Sequence, residues 1–344
     1  MLRCIEIAKN GLGTTAPNPM VGALLVYNGK IIGEGFTSAY GGPHAEVNAI
    51  ASVEDKSLLS KATLYVTLEP CCHFGKTPPC TDLIIKSKIP HVIIGLTDPH
   101  EKVSGQGIRK LRSAGIDVIT GVLEKECREH HRRFLCFHTK KRPYVILKWA
   151  QTADGFIAPE RHRRDATPRP FWITQSNSRQ LVHKWRTEEQ AILVGTHTVL
   201  EDNPKLNARY WIGKNPIRII IDKELKVPRS HHVFDGTITT IVLTGIKKTD
   251  RYAEKIIFEL LDYSKALVPQ IFEICYRHNI ISLIVEGGAQ TLQTFIAAHA
   301  WDEARVFTGN AFFKKGIEAP VHSGTLTCTS MVGSDELKIY RSDD

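Results

Sequence analysis

The residues with the most definite chemistry lie in two short stretches near the start of the chain. His44 and Glu46 are separated by one residue, and Cys71 and Cys80 follow further along. One imidazole and two thiolates suit zinc, and three protein ligands leave the fourth position of a catalytic zinc open for water. Zinc makes that water acidic enough to attack near neutral pH, and a nearby carboxylate can shuttle protons. The pattern predicts hydrolytic deamination of a base-like ring.

The spacing between the cysteines is longer than in the common zinc-deaminase pattern. That pattern is His-x-Glu followed by Pro-Cys-x-x-Cys, whereas eight residues separate Cys71 from Cys80. The intervening loop begins with Cys72 and His73, which offer two further metal-binding side chains. The residue types alone therefore leave more than one set of ligands open.

Four segments of the N-terminal half closely resemble the deaminase half of the bifunctional riboflavin-biosynthesis deaminase/reductases. They follow the family's order and separations. They read PNPMVG at 17–22, HAEVNA at 44–49, EPCCH at 69–73 and GKTPPC at 75–80. The resemblance implies a cytidine-deaminase-like α/β/α zinc domain.

The resemblance also implies roles for individual residues. Zinc would be held by His44, Cys71 and Cys80, with Cys72 as a small buried neighbour, and Glu46 would be the catalytic carboxylate. Contacts with the substrate are implied for three further residues: Asn18, His73 and Lys76. Thr37 and His100 depart from the family pattern at positions expected to touch substrate.

Size and composition predict a two-domain, water-soluble protein. The chain has 344 residues, of which 42% are hydrophobic and 24% charged, which is typical of globular domains. No apolar run reaches membrane-spanning length, and the first residues lack the apolar core of a signal peptide. Eight cysteines in a chain this long fit a reducing compartment with a metal site better than a disulfide framework. We therefore expect a cytoplasmic enzyme that does not bind membranes.

The net charge of +9 predicts an anionic partner. Lysine and arginine are dispersed along the chain, apart from a basic cluster at residues 161–164. Dispersed charges are usually a solvated surface, so phosphorylated pyrimidine small molecules are favoured over nucleic acid as partners. A homo-oligomer is compatible with the sequence.

Strands and helices alternate along the whole chain, which predicts layered α/β cores. A hairpin is predicted at 22–36 around Asn28-Gly29, and helices are predicted from His44, at 176–185 and at 290–299. Strands are predicted at 63–68, 91–96, 116–120, 144–147, 191–194, 217–221, 238–243 and 281–285. The charged residues 140–143 suggest a linker, which predicts a deaminase domain at 1–142 and a reductase domain at 143–344.

The second half has no metal-binding motif, but Glu286-Gly287-Gly288 follows a predicted buried strand and opens a helix. Glycines there let a ligand approach the backbone, and helix N-termini attract phosphate. On its own this motif is more often a tight turn. Its order with KWAQTADG at 148–155, WIT at 172–174 and the segments around Arg186 and Asp202 resembles the reductase half of the same family. That resemblance implies a dihydrofolate-reductase-like α/β domain that uses NADPH.

Family positions imply the contacts of this second half. NADPH would be contacted by Ala150, Trp172, Thr198, Asp202 and the turn formed by Gly288, Ala289, Gln290, Thr291, Leu292, Gln293 and Thr294. The reductase substrate would be contacted by Pro170, Arg186, Leu206, Arg209 and Glu286. We expect Lys148 and Glu286 to perform the acid/base work, and Lys223 to bind the 2′-phosphate of NADPH. Pro170 stands where the family commonly has serine.

Two other functions compete with a bifunctional enzyme. A nucleic-acid base deaminase with an accessory domain would fit the basic charge, but the long cysteine loop and the reductase-like second half argue against it. A zinc-stabilised scaffold with a degenerate nucleotide fold would need neither Glu46 nor an open zinc position. We therefore expect one polypeptide that deaminates a phosphoribosylamino-pyrimidine and then reduces its ribosyl unit to ribityl.

Overall fold

The computed structural model describes residues 1–74, 78–99, 104–160, 167–247 and 253–343. The chain divides into two compact units, Met1–Lys141 and Arg142–Asp344. None of the helices in the described ranges combines the length and apolar character that crossing a membrane requires. Three predicted features fall outside the described residues, namely Lys76, His100 and the basic cluster at 161–164.

The first unit is built on a mixed five-stranded sheet. Its strands are β1 (Gly22–Tyr27), β2 (Lys30–Phe36), β3 (Thr63–Val66), β4 (His91–Ile94) and β5 (Asp117–Thr120). Their order in space is β2-β1-β3-β4-β5, with β1 antiparallel to both neighbours and β3, β4 and β5 parallel. The helices are α1 (Leu2–Ala8), α2 (Ala45–Ser52), α3 (Cys80–Lys86), α4 (Gln106–Ser113), α5 (Glu124–His130) and α6 (Arg132–Lys140).

The hairpin predicted at the start of this sheet is confirmed. Asn28 and Gly29 form the two-residue turn with φ angles of 49° and 73°. Positive φ at both turn positions matches the right-handed twist of the paired strands, which is why Asn-Gly is favoured there.

The hairpin also fixes the position of α2, the helix that begins after His44 and contains Glu46. A Cβ atom at Gly35 of β2 would be 2.4 Å from the backbone nitrogen of Ala49 in α2. Only glycine permits so close an approach of helix to strand. As a result, the N-terminal end of α2 is held against the sheet, with His44 as its N-cap and Glu46 in its first turn.

The second unit contains a larger, mostly parallel sheet. Its strands are β6 (Tyr144–Thr152), β7 (Phe156–Pro159), β8 (Ala191–Gly195), β9 (Ile217–Ile221), β10 (Thr240–Thr244), β11 (Ile256–Leu260), β12 (Ser282–Val285), β13 (Glu303–Gly309), β14 (Gly316–Glu318), β15 (Thr325–Val332) and β16 (Asp335–Arg341). Its helices are α7 (Ser176–Glu188), α8 (Thr196–Asp202), α9 (Leu267–Arg277) and α10 (Ala289–Ala297).

Nine strands of this unit form one sheet within the described residues, in the order β11-β10-β9-β8-β12-β6-β13-β16-β15. The pairs from β11 to β13 are parallel, and β16 and β15 add an antiparallel edge. Strands β8, β10 and β12 are buried along their whole length. Helices cover both faces of such a sheet, which explains why its central strands appear in the sequence as continuous apolar runs.

Candidate functional site

The structure brings together the three side chains predicted to hold zinc. Nδ1 of His44 lies 3.6 Å from Sγ of Cys71 and 3.4 Å from Sγ of Cys80. The three donor atoms all lie within 4.8 Å of one another. His44 stands at the start of α2 and Cys80 is the first residue of α3, while Cys71 follows β3 in a loop.

These separations fit a tetrahedral zinc site. Zinc binds imidazole nitrogen at about 2.0–2.1 Å and thiolate sulfur at about 2.3 Å, so its nitrogen and sulfur ligands are about 3.6 Å apart. The Cys71 thiol is prepared for a metal, because a hydrogen bond from Cys80 lowers its pKa to about 4, whereas the same hydrogen bond raises the pKa of Cys80. Cys72 lies outside this group, with its Sγ 4.0 Å from Oε1 of Gln106.

Glu46 is buried directly beside the cluster. Its side chain is only 4% exposed, and it interacts with the Cys80 thiol. Burial, assisted by the charge of Cys71, raises the pKa of Glu46 to about 7. A carboxyl group with such a pKa can both accept and release a proton near neutral pH, as general acid/base catalysis requires.

A second buried carboxylate, Glu69, supports the cysteine loop and was missed in the sequence. Its carboxylate accepts hydrogen bonds from the backbone N–H groups of Asp98, Gly105 and Ile108. It therefore joins the Pro70-Cys71 segment to the N-terminal end of α4, where a negative charge is favourable. The only signal in the sequence was an acidic residue directly before the Pro-Cys pair.

The remaining described residues predicted for this site make no hydrogen bond with the donor cluster that would define their role. Asn18 is half-buried and its backbone N–H donates to the carbonyl of Thr15. His73 is exposed. Thr37 is buried, and its hydroxyl accepts a hydrogen bond from the backbone N–H of Val21. Their roles toward substrate stay predictions, as does that of Lys76, which lies outside the described residues.

The second unit contains a cavity of about 520 Å³ at the carboxyl ends of β6, β8 and β12. Most residues predicted for the reductase site line it. They are Lys148, Ala150, Pro170, Trp172, Arg186, Thr198, Asp202, Leu206, Arg209, Glu286, Gly288, Ala289 and Leu292. A crevice at the carboxyl ends of parallel strands is the usual ligand site of an open α/β sheet.

A charged triad forms one wall of this cavity. Nη2 of Arg186 lies 2.5 Å from Oε2 of Glu286, and Nζ of Lys148 lies 3.9 Å from Oε1 of Glu286. Burial alone would raise the pKa of Glu286, but the two cations lower it, so the carboxylate is charged. Burial lowers the pKa of Lys148. Nη1 of Arg186 donates a hydrogen bond to the backbone carbonyl of Asn207.

A glycine cradle forms another wall. A Cβ atom at Gly287 would lie 2.9 Å from Val194, and one at Gly195 would lie 2.6 Å from the Thr291 hydroxyl. Because β8 and β12 are neighbours, the first turns of α8 and α10 begin side by side at these glycines. Adjacent helix N-termini suit a diphosphate, which is a charged part of NADPH.

The structure places some predicted cofactor residues away from the cavity lining. Lys223 is exposed, with its ammonium 5.4 Å from the ring of Tyr263. Four residues of α10 are also absent from the lining: Gln290, Thr291, Gln293 and Thr294. Conversely, five basic lining residues were not identified in the sequence: Arg179, His183, His197, Lys205 and His232. Helical spacing on α7 relates Arg179 and His183 to Arg186, which was the available signal.

Comparison with known protein families matches both halves of the chain. The family model described as "Cytidine and deoxycytidylate deaminase zinc-binding region" matches residues 1–96. The model described as "RibD C-terminal domain" matches residues 143–313.

Relatives of known sequence and structure match nearly the whole chain. The riboflavin biosynthesis protein RibD of Aquifex aeolicus is 42% identical over 92% of this chain and 88% of its own length. A Thermotoga maritima deaminase/reductase structure is 41% identical, with a TM-score of 0.88 over 99% of this chain and 97% of that chain. The structure of Acinetobacter baumannii RibD is 28% identical, with a TM-score of 0.89 over 100% of this chain and 98% of that chain.

These matches confirm the predicted fold class, a cytidine-deaminase-like domain followed by a reductase domain of the dihydrofolate-reductase-like type. They also confirm the two predicted activities and their cofactors, zinc and NADPH. The chain therefore belongs to the RibD family of bifunctional deaminase/reductases of riboflavin biosynthesis.

Proposed function

We propose that the two sites act on consecutive intermediates. The deaminase domain, residues 1–142, would convert 2,5-diamino-6-(5-phosphoribosylamino)pyrimidin-4-one to 5-amino-6-(5-phosphoribosylamino)uracil. The reductase domain, residues 143–344, would then reduce the ribosyl unit of that product to ribityl. The related Thermotoga maritima structure is named for these two substrates. The observation that carries the proposal is that each unit holds its own acid/base group, Glu46 in one and Lys148, paired with Glu286, in the other.

In the deaminase site, His44, Cys71 and Cys80 would hold the zinc ion, which supplies an activated water when bound. Glu46 would hold the proton taken from that water. It would pass the proton to the departing amino group, so that the ring carbon exchanges its C–N bond for a C–O bond and ammonia leaves. The pKa of about 7 for the buried Glu46 carboxyl supports both halves of this transfer. Asn18, His73 and Lys76 are proposed to contact the substrate.

NADPH bound in the reductase cavity would supply the hydride needed at the anomeric carbon of the sugar. The bond from that carbon to the ring oxygen opens, and the oxygen gains a proton. We assign this proton to Lys148, because burial lowers the pKa of its ammonium group and so favours release. Glu286 would hold Lys148 and Arg186 in place at the substrate, since its carboxylate is paired with both.

Binding of the cofactor and the phosphate is assigned from the cavity lining. Ala150, Trp172, Thr198, Asp202 and the Gly288 turn are proposed to bind NADPH. Lys223, which lies outside the lining, is proposed as the 2′-phosphate contact from the sequence alone. Pro170, Leu206 and Arg209 are proposed to contact substrate together with Arg186. Because the guanidinium of Arg186 is already occupied by Glu286 and Asn207, the exposed Arg209 is the better placed of the two arginines to bind the phosphate.

The proposed partners are small phosphorylated pyrimidines rather than nucleic acid or membranes, and the chain could act as a homo-oligomer. A cytoplasmic location is supported by the cysteines, since all eight are free thiols and two of them belong to the cluster predicted to bind zinc.

The test is to supply purified, zinc-loaded protein with the diaminopyrimidine ribosyl phosphate, with and without NADPH. Ammonia release and NADPH oxidation are followed separately. Ammonia should appear without NADPH, and NADPH should be consumed only after deamination or when the deaminated compound is supplied directly. Ammonia release from single-stranded RNA or DNA, with none from the pyrimidine, would instead favour a nucleic-acid deaminase.

A further inference from the structure

One polar side chain of the reductase cavity has no part in the chemistry described above. His183 lies on α7, four residues after Arg179 and three before Arg186, and all three line the cavity. Residues at this spacing share one helix face. The face of α7 that carries a proposed substrate-binding residue therefore also presents an imidazole.

The hydrogen-bonding capacity of this imidazole is unused by the protein. His183 is 3% exposed, and its Nδ1 is fully buried with no hydrogen-bond partner in the described part of the chain. Its packing contact is with the ring of Tyr210, at a centroid distance of 4.7 Å and an interplanar angle of 68°. Nε2 also makes no hydrogen bond within the described residues, but unlike Nδ1 it is not fully buried, so it is the nitrogen that a ligand in the cavity can reach.

The surroundings keep the ring neutral. Burial, followed by the positive charges of Arg186 and Arg209, lowers the pKa of His183 to about 3. A neutral imidazole has one N–H donor and one acceptor nitrogen. Buried unpaired N–H groups are rarer than buried unpaired acceptors, and Nδ1 is the nitrogen that is fully buried and unpaired. We therefore assign the proton to Nε2.

A neutral N–H donor differs from the other groups of this wall. Arginine and lysine suit the phosphate of the substrate, because charge-assisted hydrogen bonds to phosphate are the strong ones. A neutral donor suits an uncharged oxygen instead. The uncharged oxygens of the proposed substrate nearest the reacting carbon are those of its sugar.

We propose, building on the reductase function above, that His183 is a substrate-binding residue whose Nε2–H donates a hydrogen bond to a hydroxyl oxygen of the sugar being reduced. This contact would hold the sugar in position for hydride transfer. It would also favour substrates that carry the hydroxyl, since a site built to pair with a hydroxyl rejects analogues that lack it.

Three substitutions separate this role from packing. His183→Phe keeps an aromatic ring against Tyr210 but has no donor. His183→Gln places an amide N–H near the position of Nε2, and His183→Asn places one near the position of Nδ1. Each is compared with the wild type as full-length, zinc-loaded enzyme. The measurements are kcat and KM for the deaminated substrate, the Kd for NADPH, the rate of ammonia release and the melting temperature.

We expect His183→Phe to lower kcat/KM for the deaminated substrate by about 10- to 100-fold. NADPH affinity and ammonia release should not change. His183→Gln should recover activity to within about threefold of wild type, on the same hydrogen-bond arithmetic, whereas His183→Asn should resemble His183→Phe.

Several results would overturn the assignment. Normal kcat/KM in His183→Phe would mean that the ring only packs against Tyr210. Equal losses in His183→Gln and His183→Phe, or rescue by asparagine alone, would exclude donation from Nε2. A parallel rise in the Kd for NADPH would place the residue at the cofactor. Wild-type enzyme that oxidises no NADPH with the deaminated substrate would refute the proposed reductase function, and no pattern among the variants could produce that result.

Discussion

Arg186 and Glu286 are joined by a hydrogen bond of 2.5 Å, with side chains that are only 11% and 7% exposed. They lie 100 residues apart in the sequence, on α7 and after β12. A charged pair so well buried is expensive to break, because the remaining charge has lost its partner but cannot regain its water. The pair therefore holds α7 against the segment after β12, and it places a carboxylate and a guanidinium in the wall of the reductase cavity.

Replacing Arg186 by glutamine should destabilise the second unit by about 3–5 kcal/mol, because the carboxylate of Glu286 stays buried with Lys148 as its remaining cation. Thermal or urea unfolding measures this change. Arg128→Gln is the matched control, because Arg128 pairs with Glu124 at the surface, where the side chains are 59% and 48% exposed. That variant should lose no more than about 1 kcal/mol. Equal effects of the two substitutions would contradict the account.

Glu286→Gln should lower the kcat of NADPH oxidation by about 100-fold or more while changing the Kd for NADPH little. An interaction made mainly in the transition state affects turnover, whereas uniform binding affects affinity. The alternative role as a helix cap receives no support from the structure, since the N-cap of α10 is Gly288 rather than Glu286. A variant that melts at a lower temperature but turns over normally would make Glu286 purely structural.

Cys80→Ser should lose zinc and ammonia release but retain reduction of the deaminated substrate. The reason is that Cys80 belongs to the donor cluster of the first unit, while the reductase cavity is lined by residues of the second. Cys72→Ser is the control and should keep its zinc, because Cys72 lies outside the cluster. Metal content measured beside both activities decides the matter. Loss of zinc from Cys72→Ser would show that the ligand set is wrong.

The contribution of His131 to the stability of the first unit should fall as the pH is lowered from 7.5 to 6. His131 is 2% exposed, and burial holds its pKa well below the usual value. In the unfolded chain a histidine takes up its proton near pH 6.5, so the unfolded state binds more protons and stability rises with pH. The expected slope approaches 1.4 kcal/mol per pH unit below about pH 6 for this one group.

His131→Phe should make the fall in unfolding free energy shallower, although the variant loses the hydrogen bond between His131 and the Thr67 hydroxyl. The change of the unfolding free energy with pH is compared rather than its absolute value, because a change in packing alters the unfolding free energy by the same amount at every pH. An identical slope in His131→Phe and wild type would contradict this prediction.

Much of the fold could be predicted because local patterns and tertiary structure agree. The Asn28-Gly29 hairpin and the apolar runs of β8, β10 and β12 each carry a local signal that burial in a sheet reinforces. The edges of the second sheet carried weaker signals. Strand β15 is exposed along nearly its whole length and β11 is largely half-buried, so burial in the sheet reinforces their local patterns little.

The site was predictable where motif and chemistry coincide, and not where the fold alone brings residues together. His44, Cys71 and Cys80 are recognisable because zinc restricts the choice of ligands. The contacts of Glu69 with Asp98, Gly105 and Ile108 arise from the packing of the loops, and the sequence near Glu69 does not encode them. His183 was missed for a similar reason, because a histidine on a helix face can be identified as a possible ligand contact only when the structure shows that the face lines a cavity.

The central claim is that one chain carries two independent chemistries, with Glu46 moving protons in the first. Glu46→Gln tests it most directly, because the amide keeps the shape of the side chain but cannot exchange a proton. Ammonia release, zinc content and NADPH oxidation with the deaminated substrate are measured on one preparation. The account predicts loss of ammonia release by about 100-fold or more, with zinc bound and NADPH oxidation unchanged. A near-normal rate of ammonia release, or equal loss of both activities, would contradict it.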